Sequence, residues 1–196
     1  MLPAQVFLLS PASCSGRRAA LLLNERAQFS LAVRLRNAEG VPLGEVFSFL
    51  SGLYFRGKLT YARAFARPPA DSPGVLIVTA GRGLLAAETP VHLADIRAFA
   101  TVPIEVAEPR YREPLTKDAT ALAKRLPVTA RAILLGSIAT SKYVGPLLPI
   151  FGERLMFPQA FIGKGDKSRG AMLLNCVDDG RELDYVAVAG QLPFSR

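Results

Sequence analysis

Three short apolar runs organise this chain. Residues 5–9 (Gln-Val-Phe-Leu-Leu), 74–78 (Gly-Val-Leu-Ile-Val) and 132–135 (Ala-Ile-Leu-Leu) carry almost no alternating polar position. Strands covered on both faces have this pattern, because neither side is left to water. The runs therefore predict three neighbouring strands of one central sheet. Elsewhere the period becomes helical. Over residues 53–66, Leu59, Ala62 and Phe65 recur three apart while Arg56, Lys58, Arg63 and Arg67 fall mainly on the other side, which predicts an amphipathic helix with a basic face. Residues 24–37, stopped by Gly40 and Pro42, and residues 115–126, with Ala119, Leu122 and Ala123 inward, predict two more helices. His92 and Asp95 open a short helix reaching Ala100, and residues 102–112 predict a connecting strand and loop. Thr140 can cap a helix over residues 146–150 that Pro146 must kink or delay. Residues 154–157 predict a further strand. Residues 172–177 and 183–188 form either a hairpin or a helix end followed by a strand. The sum is one α/β domain over residues 1–196: a mixed three-layer architecture with a central, partly parallel sheet and helices on both faces.

Each of the three strands runs into small residues and a cation. Ser10-Pro11-Ala12-Ser13-Cys14-Ser15-Gly16-Arg17-Arg18 follows the first, Thr79-Ala80-Gly81-Arg82-Gly83 the second, and Gly136-Ser137-Ile138-Ala139-Thr140-Ser141-Lys142 the third. In an open α/β sheet such loops converge on a crevice beyond the carboxyl ends of the strands. A fourth stretch, Gly163-Lys164-Gly165-Asp166-Lys167-Ser168-Arg169-Gly170, predicts another loop on its glycine density. The expectation is one cleft into which Arg17, Arg82, Lys142 and Arg169 point together with Ser137 and Asp166. Ser13, Ser15, Lys167 and Ser168 add donors, and such donors suit a phosphate. Arg56, Lys58, Arg63 and Arg67, interleaved with Tyr54, Phe55 and Tyr61, form a candidate nucleic-acid-binding stripe. Asp166 is the one carboxylate in the four loops. It is either a candidate catalytic group for glycosidic cleavage or an ion-pair partner of Lys167 or Arg169.

Composition sharpens this only in part. Of 196 residues, 24 are Lys or Arg and 16 Asp or Glu, and the net charge of +8 favours a polyanionic partner. Cys14, Cys176 and the lone His92 lack the spacing of a zinc site, so neither metal nor cofactor is expected. Cys14 has no nearby His to make it a thiolate nucleophile. No apolar run reaches the length of a membrane span, and the amino-terminal stretch lacks the charged start of a signal peptide. A cytoplasmic protein with reduced thiols is the expectation.

The order of the loops resembles the YaaA family and its shorter relatives. Ser10-Pro11-Ala12 is similar to the family's Ser-Pro-Ala, and Cys14-Ser15-Gly16-Arg17 to the short relatives' Cys-Ser-x-(Lys/Arg). Leu53-Tyr54-Phe55-Arg56-Gly57, residues 61–64 and Thr79-Ala80-Gly81-Arg82-Gly83-Leu84-Leu85 resemble further segments of those relatives. Ala139-Thr140-Ser141-Lys142-Tyr143 and Lys167-Ser168-Arg169-Gly170-Ala171-Met172 resemble segments of the longer proteins. The resemblance implies a DNA-directed role in repair, modification or stress defence. Departures stand beside it: the chain is shorter, has Cys14 where the longer proteins have a lysine-bearing segment, and lacks a helix-hairpin-helix signature. Three readings follow: a DNA- or nucleotide-binding module, an enzyme such as an N-glycosidase using Asp166, or a basic metabolite-binding or interaction domain.

Overall fold

The computed structural model describes residues 3–191. The three apolar runs become β1 (Gln5–Leu9), β3 (Val75–Val78) and β6 (Arg131–Leu135). With β4 (Leu84–Ala86), β7 (Leu155–Pro158) and β8 (Tyr185–Ala187) they form a six-stranded sheet of order β4-β3-β1-β6-β7-β8. The four inner strands are parallel, and β4 and β8 are antiparallel edges. All five side chains of β1 are buried, which is why its sequence does not alternate. A two-stranded ribbon pairs β2 (Val41–Pro42) with β5 (Pro90–Val91).

Among the described residues eight α-helices accompany the strands: α1 (Arg17–Leu23), α2 (Ser30–Arg36), α3 (Leu43–Ser51), α4 (Leu53–Phe65), α5 (Leu93–Ala100), α6 (Pro109–Arg125), α7 (Ser141–Phe151) and α8 (Asp166–Asp178). The right-handed crossover rule sorts them. The connection from β1 to β3 steps one way and carries α4; those from β3 to β6 and from β6 to β7 step the other way and carry α6 and α7. Accordingly α4 packs with α3 and α8, whereas α6 packs with α7. The sheet lies between two helical layers, with helices on both faces as its sequence predicts.

Local chemistry moves several expected boundaries. Residues 24–29 are not helical, since α2 begins at Ser30. The stretch 102–112 holds no strand: Glu108 caps α6 by accepting from the Arg110 N–H at 3.0 Å, with Pro109 in the first turn. His92 and Asp95 do open α5, through a reciprocal capping box. Residues 172–177 belong to a helix and not to a hairpin, because α8 starts within the glycine-rich stretch. Its Gly170 meets Gly57 of α4 so closely that a Cβ on Gly57 would lie 2.7 Å from the Gly170 carbonyl oxygen, and a Cβ on Gly170 would lie 2.9 Å from Tyr54 Cα. These two glycines serve contact between helices.

Candidate functional site

The strand order reverses at β1: the chain goes first to one side of it, to β3, and later to the other, to β6. Beyond the carboxyl ends of β1 and β6 lies a cleft of about 630 Å³. This is where an open α/β sheet receives ligands, because the connections leaving adjacent strands depart toward opposite faces and part there. The loop after β1 supplies Ser10, Ser13, Cys14 and Ser15, the loop after β6 supplies Ser137, and the first turn of α7 supplies Lys142 and Tyr143. Phe47 and Ser51 of α3, Tyr54 and Lys58 of α4, Asp166 of α8 and the segment from Phe99 to Ile104 complete the walls.

Lys58 holds the floor and corrects the sequence reading of a basic stripe. It is 1% exposed. Its Nζ donates to the Ser10 carbonyl at 2.6 Å and to Ser10 Oγ at 2.7 Å, and lies 4.6 Å from the Tyr54 ring centre and 4.9 Å from that of Phe55. Burial pushes the amine down to about 7, against the opposing pull of Asp166. The rest of the stripe disperses. Arg63 pairs with Glu88 at 2.7 Å, Arg67 is half-buried against Glu182 at 2.8 Å, and Arg56 remains exposed. Lys58 stands three residues after Phe55 and four before Ala62, both buried, so helical spacing itself aligns it with the apolar face.

The expected gathering of four cations does not form. Of Arg17, Arg82, Lys142 and Arg169, Lys142 alone lines the cleft. Residues 79–83 are a hairpin turn into antiparallel β4, with φ of +98° at Gly81 and +61° at Gly83, so Arg82 turns away and pairs with Asp95 at 2.8 Å. Arg17 is exposed at the start of α1. Arg169 donates to the Phe161 carbonyl at 3.0 Å and stacks on that ring, 5.1 Å from its centre, while Lys167 and Ser168 are exposed on α8 outside the lining. Ser13, Ser15, Ser137, Lys142 and Asp166 are brought together. Asp166 stands in the first turn of α8, and among the described residues it makes no ion pair with Lys167 or Arg169.

Lys142 owes its position to a proline. Pro146 lies inside α7 and has no N–H for the Lys142 carbonyl four residues earlier; the buried Tyr111 of α6 donates its hydroxyl to that oxygen at 2.7 Å. The helix therefore runs on through Pro146 where the sequence suggests a kink or a later start. Around the cleft, burial pushes Cys14 up to about 12 and Tyr143 to about 12, so both keep their protons at neutral pH. Burial also raises Tyr54, opposed by the nearby Arg169 charge, and its hydroxyl lacks a hydrogen-bond partner in the described structure. Among the described residues no cluster of His, Cys, Asp and Glu could hold a metal ion. The cleft thus offers hydroxyls, one lysine at its wall, a second on its floor, aromatic faces and one carboxylate. No protein-family model, curated protein or solved structure matches this chain.

Proposed function

We propose that this protein binds a phosphate-bearing nucleotide, free or within single-stranded DNA, in the cleft between β1 and β6. The observation that carries this reading is the convergence of Lys142 with Ser13, Ser15 and Ser137 at the switch point, in a cleft whose lining includes the rings of Phe47 and Tyr54. Hydroxyls and a lysine suit phosphate oxygens, and the rings suit a base. The +8 charge favours an anionic ligand in the same sense. The YaaA-like order of motifs adds a context of DNA repair, modification or stress defence. A second reading is glycosidic cleavage of the bound nucleotide, which the placement of Asp166 on the cleft wall favours.

Thermal unfolding with orthophosphate, nucleoside, nucleotide and short single-stranded DNA tests the binding. A nucleotide should raise the melting temperature more than its nucleoside does, and Lys142→Ala should weaken binding by about tenfold, the loss of one charge-assisted contact. Lys124→Ala, on the exposed last turn of α6, should leave binding unchanged. If none of the four ligands shifts the transition, the reading falls. Release of base from DNA or nucleotide, lost in Asp166→Asn, would establish the second reading.

A further inference from the structure

We propose that Ser10 is a nucleophile activated by Lys58, and that the cleft performs acyl transfer on a small polar ester or amide. Ser10 follows β1 directly, lines the cleft, and is 6% exposed. Its Oγ lies 2.7 Å from Lys58 Nζ, and the second bond from Nζ to the Ser10 carbonyl fixes the amine in place. The neighbouring residue across the sheet is Gly136, where a Cβ would crowd Ser10 Oγ at 3.3 Å and Ser10 Cβ at 3.0 Å. Glycine there leaves the hydroxyl its space. Tyr54 and Phe55 surround the amine with ring atoms, and no carboxylate among the described residues forms a salt bridge with it. Burial favours the neutral amine, against the pull of the two ring faces and of Asp166 toward the ammonium, and a neutral amine within hydrogen-bond reach of a hydroxyl is a proton acceptor for it. The thiol in the cleft, Cys14 Sγ, is kept protonated by burial.

The step balances without a co-reactant other than water. Lys58 Nζ accepts the Ser10 hydroxyl proton as Oγ adds to the carbonyl carbon. The tetrahedral intermediate collapses, the bond to the alcohol or amine breaks, and that leaving group takes the proton from the Lys58 ammonium. Water then adds to the acyl-serine, giving its proton to Lys58; collapse releases the acid, and the Ser10 oxygen recovers the proton. Lys142 and the hydroxyls of Ser13, Ser15 and Ser137 favour a substrate with an anionic end. The inference does not rest on nucleotide binding: a covalent adduct reports reactivity at Ser10, whereas a melting shift reports occupancy.

An alkyl fluorophosphonate is the probe: the Oγ–P bond forms, the P–F bond breaks, fluoride leaves and Lys58 takes the proton. Peptide mass spectrometry should find one adduct, on Ser10, absent in Ser10→Ala and formed on the order of 100-fold more slowly in Lys58→Met. The labelling rate should rise with pH as Lys58 loses its proton. The titratable groups that line the cleft with that amine are Cys14 on the loop after β1, Tyr54 on its own helix, Lys142 and Tyr143 on α7, and Asp166 on α8. Since the Asp166 carboxylate favours the ammonium, Asp166→Asn should move the rise to lower pH. That shift serves where Lys58→Met does not fold. No adduct, an adduct on another serine, equal labelling of a folded Lys58→Met, or an unmoved rise in Asp166→Asn overturns the proposal.

Discussion

A single lysine shows how position within a helix outweighs residue type. Lys58 belongs by composition to a row of cations, yet it is on the buried face of α4, bonded to Ser10. Its lowered amine makes stability depend on pH with a definite sign. Between about pH 7 and its ordinary value of 10.5, the unfolded chain holds a proton at Lys58 that the folded chain has released. Stability should therefore rise with pH across that window, and the burial penalty is fully present below pH 7. Cys14 and Tyr143, both raised, contribute in the opposite direction above their unfolded values. Urea titrations of the wild type and Lys58→Met between pH 7 and 9 isolate the effect: the wild-type midpoint should climb relative to the variant. Tyr111→Phe tests another single contact. It leaves the Lys142 carbonyl without either the hydroxyl or the N–H that Pro146 lacks, and should cost about 1–3 kcal/mol in the same titration.

Among the elements, the sequence was most legible where one local signal dominates. The uninterrupted apolar runs gave β1, β3 and β6 as adjacent strands, and the spacing over residues 53–66 gave α4 almost to the residue. It was least legible where glycine serves a distant contact. Gly163, Gly165 and Gly170 suggested a loop, but α8 begins at Asp166, and Gly170 is where the helix approaches α4. Likewise the Gly81 and Gly83 turn looks like a ligand loop until its partner strand β4 is known. Of the cleft, the serine loops after β1 and β6 were visible; the floor was not, because Lys58 gains its neighbours only when β1 packs under α4. The glycine contact gives its own prediction. Gly57→Ala forces α4 and α8 apart and should destabilise by about 1–3 kcal/mol, while weakening any cleft ligand through displacement of Asp166 and Tyr54. Calorimetric melting and ligand titration of the variant measure both.

Across the whole molecule, polar chemistry gathers at opposite ends of β1. At the carboxyl end lies the cleft. At the amino end Gln5 and Arg67 both donate to the Glu182 carboxylate, Arg67 at 2.8 Å, and the Tyr185 hydroxyl joins it at 3.0 Å. Tyr61 shares a 2.7 Å bond with Tyr185 and accepts from the Leu183 N–H at 2.8 Å. Burial pushes the Glu182 carboxyl up, but the bonds from Arg67, Gln5 and Tyr185 outweigh it and hold the group below its usual range. This network ties the segment leading into β8 to α4 and β1. Glu182→Gln should lower stability by about 1–3 kcal/mol in urea titrations and leave ligand affinity in the distant cleft unchanged.

The sheet's two borders, β4 and β8, are three residues each and run against the inner strands. A border that short offers an approaching chain only a few backbone groups to pair with, so the long apolar strands most prone to cross-molecular stacking are shielded by their own neighbours. In a concentrated solution the folded molecule is thereby guarded against growing into ribbons, and that guard lasts only as long as β4 and β8 stay docked.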